Sequence, residues 1–453
     1  MTTLSPHTER GPNLEPQPKT WAGTILRSFA SSTGIMVVGL FTGILLARLL
    51  GPEGRGVVGS VVTYATVLVG LGQLSVGDVA VIQEKEVGED QALATAWTVS
   101  LANFLISTPV LAMIIWTMFR TDAHVPQMLT VVFFLAFAMS NMINQLYLGV
   151  FRIRHQFGKV QIYALTKPAV YLAFLLLLAG GLVAPTVESV LIALIASNLV
   201  AVAVRAVIDG LPFVVHLHWR SVEGFLKLAL PLYTTKVVQT LGTQGDRLLA
   251  VTLLSAHEIG IFLVATTFAS VIPGIYSTAV KLLVLPAMVS INRETRSAQA
   301  NQMLRLTWAA SIVAGLFTAV VAHLLIPLLF GVAYASAAGM AVWLAAANLL
   351  RPVRESLLEV QKSYAITRFF ALPSVVLFAV FLAVAAALFP FFGVFGIIAG
   401  RGVAELITVA VLSQRLGKYA PEIAIHHWIV PRWRDFVMLV SHPWRAVIGG
   451  GKR

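Results

Sequence analysis

Windows of about 20 apolar residues, the length a helix needs to cross the hydrocarbon core of a bilayer, follow one another along almost the whole chain. Twelve can be placed. In lipid each backbone polar group must be satisfied inside the protein, so segments of this length are compatible with a bundle of helices and little else. The predicted spans lie near residues 29–50, 57–80, 93–118, 128–150, 161–183 and 186–207, then 226–254, 258–284, 305–330, 334–357, 367–389 and 392–414. Pro109, Pro168, Pro231, Pro273 and Pro373 fall within them; transmembrane helices tolerate proline because neighbouring helices satisfy the freed groups. Composition agrees, with 58% of the 453 residues hydrophobic and 11% charged, where soluble domains run at roughly 45–50% and about 25%. An ordinary soluble enzyme is thereby excluded.

The 32 Lys and Arg against 20 Asp and Glu give a net charge of +12. In a membrane protein that excess reflects basic cytoplasmic loops rather than nucleic-acid binding. With the amino terminus inside, one side of the bundle collects Arg152, Arg154, Lys159, Arg205, Arg293, Arg296, Arg351, Arg354 and Lys362, and the other holds little beyond Arg48, Arg55 and Arg120. Both termini are therefore expected in the cytoplasm, with the chain a multi-pass membrane protein. Residues 1–24 read as a flexible lead rich in proline rather than a cleavable signal. Residues 25–207 form an N-lobe of six helices, 208–225 a cytoplasmic linker and 226–415 a C-lobe of six more. The tail, 416–453, mixes Trp428, Trp433 and Trp444 with Arg432, Arg434, Arg445, Lys452 and Arg453. Such a mixture suits a segment lying on an anionic leaflet, or equally a disordered basic tail. The absence of Cys removes disulfides and thiolate metal sites.

The division into lobes rests on a repeat. Leu49-Leu50-Gly51-Pro52-Glu53-Gly54-Arg55-Gly56-Val57 aligns with Leu253-Leu254-Ser255-Ala256-His257-Glu258-Ile259-Gly260-Ile261 at an offset of 204 residues. Both stretches read as tight helix-to-helix turns ending in glycine, and the offset maps spans one and two onto seven and eight. Two like-oriented halves with a path between them are a common transporter plan.

Ionisable residues inside spans are costly and normally face a wet cavity or one another. Lys167, Lys236, Asp246, Arg247, Lys281, Arg401 and Glu405 are so placed. Five cations against two anions suit an anionic ligand such as a phosphate or pyrophosphate, with Arg as a bidentate fork and Lys as a point charge. Lys236 lies about 15 Å along its helix and is expected to face the cavity. Lys167 and Lys281 could instead snorkel to the head groups, and Arg401 and Glu405, spaced i, i+4, could neutralise each other. Polar stripes, Asn141, Asn144 and Gln145 in span four and Gln239, Thr240 and Gln244 in span seven, serve either as interhelical hydrogen-bond partners or as a lining for hydroxyl-rich substrates. No phosphate loop, zinc-binding His pair or nucleotide fingerprint is present, and no insertion between spans is long enough for a catalytic domain. No catalytic residue, metal site or cofactor is expected.

The residues also carry a resemblance. Ala47-Arg48-Leu49-Leu50-Gly51-Pro52-Glu53-Gly54-Arg55-Gly56 resembles the ARxLGPExxG signature of Wzx-type polysaccharide biosynthesis proteins, lipid-linked oligosaccharide flippases of the multidrug/oligosaccharidyl-lipid/polysaccharide (MOP) exporter superfamily. Leu230-Pro231, Asp246-Arg247-Leu248-Leu249, Glu258-Ile259-Gly260-Ile261-Phe262 and Leu285-Pro286 are similar to the start of that family's second half, although Phe262 stands where Tyr is usual and His257 where a small residue is common. The resemblance implies an all-α fold of twelve helices in two lobes about a cavity that opens to each side in turn. It implies as substrate a glycan on polyprenyl pyrophosphate, moved between leaflets for surface polysaccharide assembly. Membrane lipid, and the polymerase and glycosyltransferases of the same assembly system, would be its partners. On that reading Lys236, Arg247, Arg401, Lys281 and Lys167 are the candidate cations for pyrophosphate, Asn141, Asn144, Gln145, Gln239 and Gln244 a candidate sugar lining, and Asp246 or Glu405 a candidate carrier of a coupling ion. The rival expectations are an ion-coupled multidrug antiporter, whose cavity should be acidic and aromatic, a lipid II flippase, and a membrane-embedded glycan polymerase or ligase.

Overall fold

The computed structural model describes residues 18–119, 125–154, 156–210, 219–289, 293–364, 371–423 and 425–441. Among them there is no β-strand. The first half comprises α1 (Pro18–Gly72), α2 (Val76–Val87), α3 (Glu89–Met118), α4 (Gln127–Ile153), α5 (Phe157–Ala179) and α6 (Val187–Asp209). The second comprises α7 (Trp219–Leu253), α8 (Ala256–Val289), α9 (Arg293–Phe330), α10 (Ala337–Ala347), α11 (Arg351–Ser363), α12 (Leu372–Phe392), α13 (Val394–Tyr419) and α14 (Trp433–Ser441).

Twelve crossings emerge from these helices. α1 supplies two, because Gly51 takes φ 65°, ψ −177° and Pro52 follows it, a left-handed conformation that glycine adopts without a Cβ penalty. The chain doubles back there: Arg55 Nη1 donates to the carbonyl of Gly43 at 3.0 Å, although twelve residues of straight helix would span about 18 Å. The matching turn between α7 and α8 is built by other chemistry. Ser255 and Glu258 form a reciprocal cap, the Ser255 backbone N–H donating to Glu258 Oε2 at 2.9 Å and the Glu258 N–H to Ser255 Oγ at 3.4 Å. The second crossing is interrupted at residues 73–75, between α1 and α2, and the tenth at residues 348–350, between α10 and α11. Nine stretches of the described residues are long and apolar enough to cross a membrane, the first of them 58 residues long and running from Ala30 of the doubled-back α1 through α2. α7 is too polar to qualify by composition but has 35 residues, ample for a crossing.

Two differences from the sequence reading concern boundaries. Helix begins at Pro18, inside the segment read as a flexible lead, proline being favourable in a first helical turn. The expected linker 208–225 is helical from Trp219 onward, and Phe225 and Ala229 are wholly buried in a core with Val79, Trp97, Leu146 and Tyr147 of the first half. Further along the same helix, Ala250 belongs to a second-half core with Phe262, Phe330 and Phe381. α7 thus starts in one lobe and ends in the other.

The offset of 204 residues reappears as a pseudo-two-fold axis between the lobes. A Cβ on Gly56 would stand 1.7 Å from the carbonyl oxygen of Ala256, and one on Gly260 would stand 1.8 Å from that of Pro52. The offset carries Pro52 onto Ala256 and Gly56 onto Gly260, so these are one contact made twice. A second pair follows the same rule: Gly70 faces Thr240 and Gly274 faces Met36. Gly59, which the offset carries onto Leu263, faces Leu263 itself, placing the axis between them. On the face carrying both turns, here the kink face, the lobes are shut. Arg48 of α1 donates through Nε to the carbonyl of Leu329 at 2.7 Å and through Nη2 to that of Leu328, occupying carbonyls at the end of α9 that have no intrahelical donor. Tyr334 Oη donates to the carbonyl of Ala47 at 3.3 Å.

Candidate functional site

Below that closure, towards the opposite or linker face, the lobes part around a cleft of about 200 Å³. Three walls form it. The interrupted second crossing contributes Gln73, Ser75 and Asp78; α4 contributes Phe137, Asn141 and Gln145; α7 contributes Lys236, Thr240, Thr243 and Gln244. The α7 residues recur at i, i+4, i+7 and i+8, which puts them on one helix face. Asn141 and Gln145 are likewise i, i+4. Of the lining residues two carry charge, Lys236 and Asp78, and Asp78 is paired with Arg152 at the end of α4.

The sequence-predicted residues fall into three groups. Lys236, Asn141, Gln145 and Gln244 line the cleft together. Lys167 lies just behind its wall, the ammonium 4.4 Å from the centroid of the Phe137 ring, a cation–π geometry in place of a reach to the head groups. Asp246 and Arg247 stand at the closed end of the α7 stripe; Asp246 is 9% exposed and its Oδ1 accepts the backbone N–H of Arg247 at 3.0 Å. Gln239 is exposed and Asn144 half-buried, and neither lines the cleft; Asn144 is turned about 100° from Gln145 around α4. The Lys281 side chain lies outside the described residues.

Of the two readings open for Arg401 and Glu405, the structure takes the neutralising i, i+4 pair and not the cavity charges. They are 2% and 0% exposed, buried within the C-lobe away from the cleft. Glu405 Oε1 is 3.0 Å from Arg401 Nη2, and its Oε2 accepts from Arg354 Nε at 2.7 Å. Arg401 Nη1 also donates to the carbonyl of Gly242 on α7 at 2.6 Å. Arg351 pairs with Glu355 at 3.4 Å, so a buried network links α11, α13 and α7. Burial of these charges needs such pairing, since an unpartnered ion in this position is prohibitively costly. Arg354, expected among the cations of the cytoplasmic side, is instead buried in α11 with Pro352, Val353, Glu355, Leu357 and Glu359.

Sequence reasoning also missed Gln73, Ser75 and Asp78. The signal was available: Gly70-Leu71-Gly72-Gln73-Leu74-Ser75 interrupts an apolar window, and Asp78 is a carboxylate within predicted span two. The interruption leaves backbone groups without helical partners, and Asn103 Nδ2 donates to the carbonyl of Gly72 at 2.7 Å. Among the described residues no cluster of three His, Cys, Asp or Glu side chains could hold a metal.

Two six-crossing lobes related by a pseudo-two-fold axis, with a cleft between them, are a fold shared with solved transporters of the MOP superfamily. The family model for polysaccharide biosynthesis protein matches residues 45–339, and the chain belongs to that family. Solved structures share the fold at low identity. The lipid II flippase MurJ in an inward closed conformation matches with a TM-score of 0.67 and 15% identity, over 95% of each chain. An inward-facing multidrug resistance MATE family transporter of the MOP superfamily matches with a TM-score of 0.65 and 14% identity, over 85% of this chain and 95% of that one. A MOP superfamily transporter from Pyrococcus furiosus, described as having a binding pocket of reverse polarity, matches with a TM-score of 0.57 and 15% identity, over 88% of this chain and 96% of that one. No curated protein sequence matches the chain.

Proposed function

We propose that the protein is an alternating-access flippase, not an enzyme, that moves a polyprenyl-pyrophosphate-linked oligosaccharide from the cytoplasmic to the periplasmic leaflet for surface polysaccharide assembly. The observation that carries this reading is the cleft itself, in which Lys236 stands among amide and hydroxyl side chains. An ammonium offers a compact charge to a phosphate. Gln73, Asn141, Gln145, Thr240, Thr243 and Gln244 offer donors and acceptors to sugar hydroxyls. A cavity for organic cations would need acidic walls, and the acid here is neutralised by Arg152.

The Lys and Arg bias supports a cytoplasmic linker face, and membership of the polysaccharide biosynthesis family supports a bacterial inner membrane; on that reading the cleft is loaded from inside and shut on the periplasmic side. The polymerase and glycosyltransferases of the same assembly system are its proposed partners. Asp246, at the closed end of the α7 stripe, is the better-placed candidate for a coupling ion, because Glu405 is already held by two guanidinium groups.

The test is transport of a fluorescent polyprenyl-pyrophosphate glycan in proteoliposomes, read by its accessibility to an external quencher. Lys236→Ala is expected to reduce translocation by roughly 10- to 100-fold, the loss of one charge-assisted contact worth about 1.5–3 kcal/mol, while inserting normally. Lys236→Arg should retain most of it. Full transport by Lys236→Ala would refute the anion contact, and no transport by the parent protein would turn attention to a multidrug substrate.

A further inference from the structure

The carboxyl-terminal segment has no part in the cleft, yet it is firmly seated. After α13 the chain turns under the C-lobe, where Trp428 is 1% exposed and packs in a core with Met303, Leu304, Leu357 and Leu416. This corrects the expectation that Trp428 lies on a lipid surface. Asn301 Nδ2 donates to the carbonyl of Glu422 at 2.7 Å and Arg305 Nη1 to that of His427 at 3.3 Å. Asp435 caps α14 by accepting the Arg432 N–H at 2.7 Å, and its carboxylate stands 3.4 Å from Arg305 Nε.

Those contacts fix the depth of the segment. Arg305 is the last Asp, Glu, Lys or Arg of α9 before Phe330, which sets α14 on the linker face at the level where hydrocarbon gives way to head groups. What it shows outward there is mixed: Val430 is 71% exposed, Trp433 80% and Val437 47%, with Arg432 and Arg434 exposed between them. Trp433 and Val437 are i, i+4 and share a face. Large apolar groups so exposed would be a liability in water. In the interfacial layer, Trp is favoured at head-group level and basic side chains meet acidic lipid.

We propose that the segment from Val430 to Val437 is a docking surface for the anionic head-group layer of the leaflet on the linker face, held in register by the Asp435–Arg305 pair. Its ligand class is acidic phospholipid. Residues 442–453, including Trp444, Arg445, Lys452 and Arg453, lie outside the described residues, and the proposal does not use them.

The test exploits a chain without Cys. Val437→Cys and, separately, Arg434→Cys carry a nitroxide in the full-length protein reconstituted with phosphatidylcholine, with or without phosphatidylglycerol. The label at 437 is expected to collide with oxygen in preference to a water-soluble nickel chelate, and the label at 434 to show the reverse. Phosphatidylglycerol should lower the nickel collision rate at 437 by about threefold or more, and Arg432→Gln with Arg434→Gln should remove that dependence. A label at 437 freely reached by nickel in both lipids would overturn the proposal. Spin–spin broadening would overturn it in favour of a second copy of the chain.

Discussion

Gly56→Ala is expected to hold the lobes apart on the kink face. The added methyl group would lie 1.7 Å from the Ala256 carbonyl oxygen, and a helical carbonyl cannot rotate out of the way as a side chain can. Overpacking costs about 1–3 kcal/mol; because the obstacle exists only in the closed arrangement, that cost moves the equilibrium between closed and open rather than unfolding either lobe. About 2 kcal/mol corresponds to a shift of roughly 30-fold in population. Leu263, which faces Gly59 across the axis, provides the readout: a single Cys there should react with a membrane-impermeant maleimide at least about tenfold faster in the Gly56→Ala background. Gly260→Ala should behave as its twin. Gly39→Ala is the control, since nothing lies within 4 Å of its Cβ position and alanine favours helix. Unchanged labelling in both twins would mean that the closure does not rest on this contact.

Glu405→Ala should be the most destabilising substitution in the C-lobe. It removes the carboxylate shared by Arg354 and Arg401 and leaves two guanidinium groups buried at 7% and 2% exposure. Breaking a buried ion pair from one side costs about 3–5 kcal/mol, which thermal unfolding of the purified protein would register as a large drop in Tm. The network predicts more than a loss. Arg354→Met alone should be costly, and combining it with Glu405→Gln should cost less than the sum of the two, because each change by itself already removes the same Arg354–Glu405 pair. Strict additivity would show that the groups do not act as a unit.

How far the sequence reveals this fold depends on whether the governing interactions are local. Apolar windows are local, and each of the twelve corresponds to a crossing, including α7, whose polar stripe lowers its hydropathy without shortening it. The repeat was legible because both turns end in glycine, but only the folded chain shows why: Gly56 and Gly260 are where backbones meet. Lys236 stood out as a charge near the middle of a span, and its neighbours Gln244, Asn141 and Gln145 followed from helical periodicity. Of the charged network only the i, i+4 pair of Arg401 and Glu405 was legible. Arg354 and Glu405 are 51 residues apart, and until α11 is placed beside α13 the arginines of span ten read equally well as cations of the cytoplasmic side. The basic tail failed for a related reason. Tryptophan and arginine together suggest an interface, and they do not reveal that Trp428 faces inward while Trp433, five residues on, faces out.

The course of α7 constrains how the protein can move. Its beginning is fastened among the side chains of the N-lobe at Phe225 and Ala229, and its end among those of the C-lobe at Ala250. Two bodies that share one continuous rod cannot rock past each other unless the rod yields. The stretch left to yield runs from Ala229 to Gly242, whose carbonyl Arg401 of the C-lobe holds, and contains Pro231, a residue that softens a helix. Lys236 and the cleft-facing Thr240 lie on that same stretch. Whatever occupies the cleft therefore grips the spring, and the stiffness of a single helix sets how strongly cargo and motion are tied.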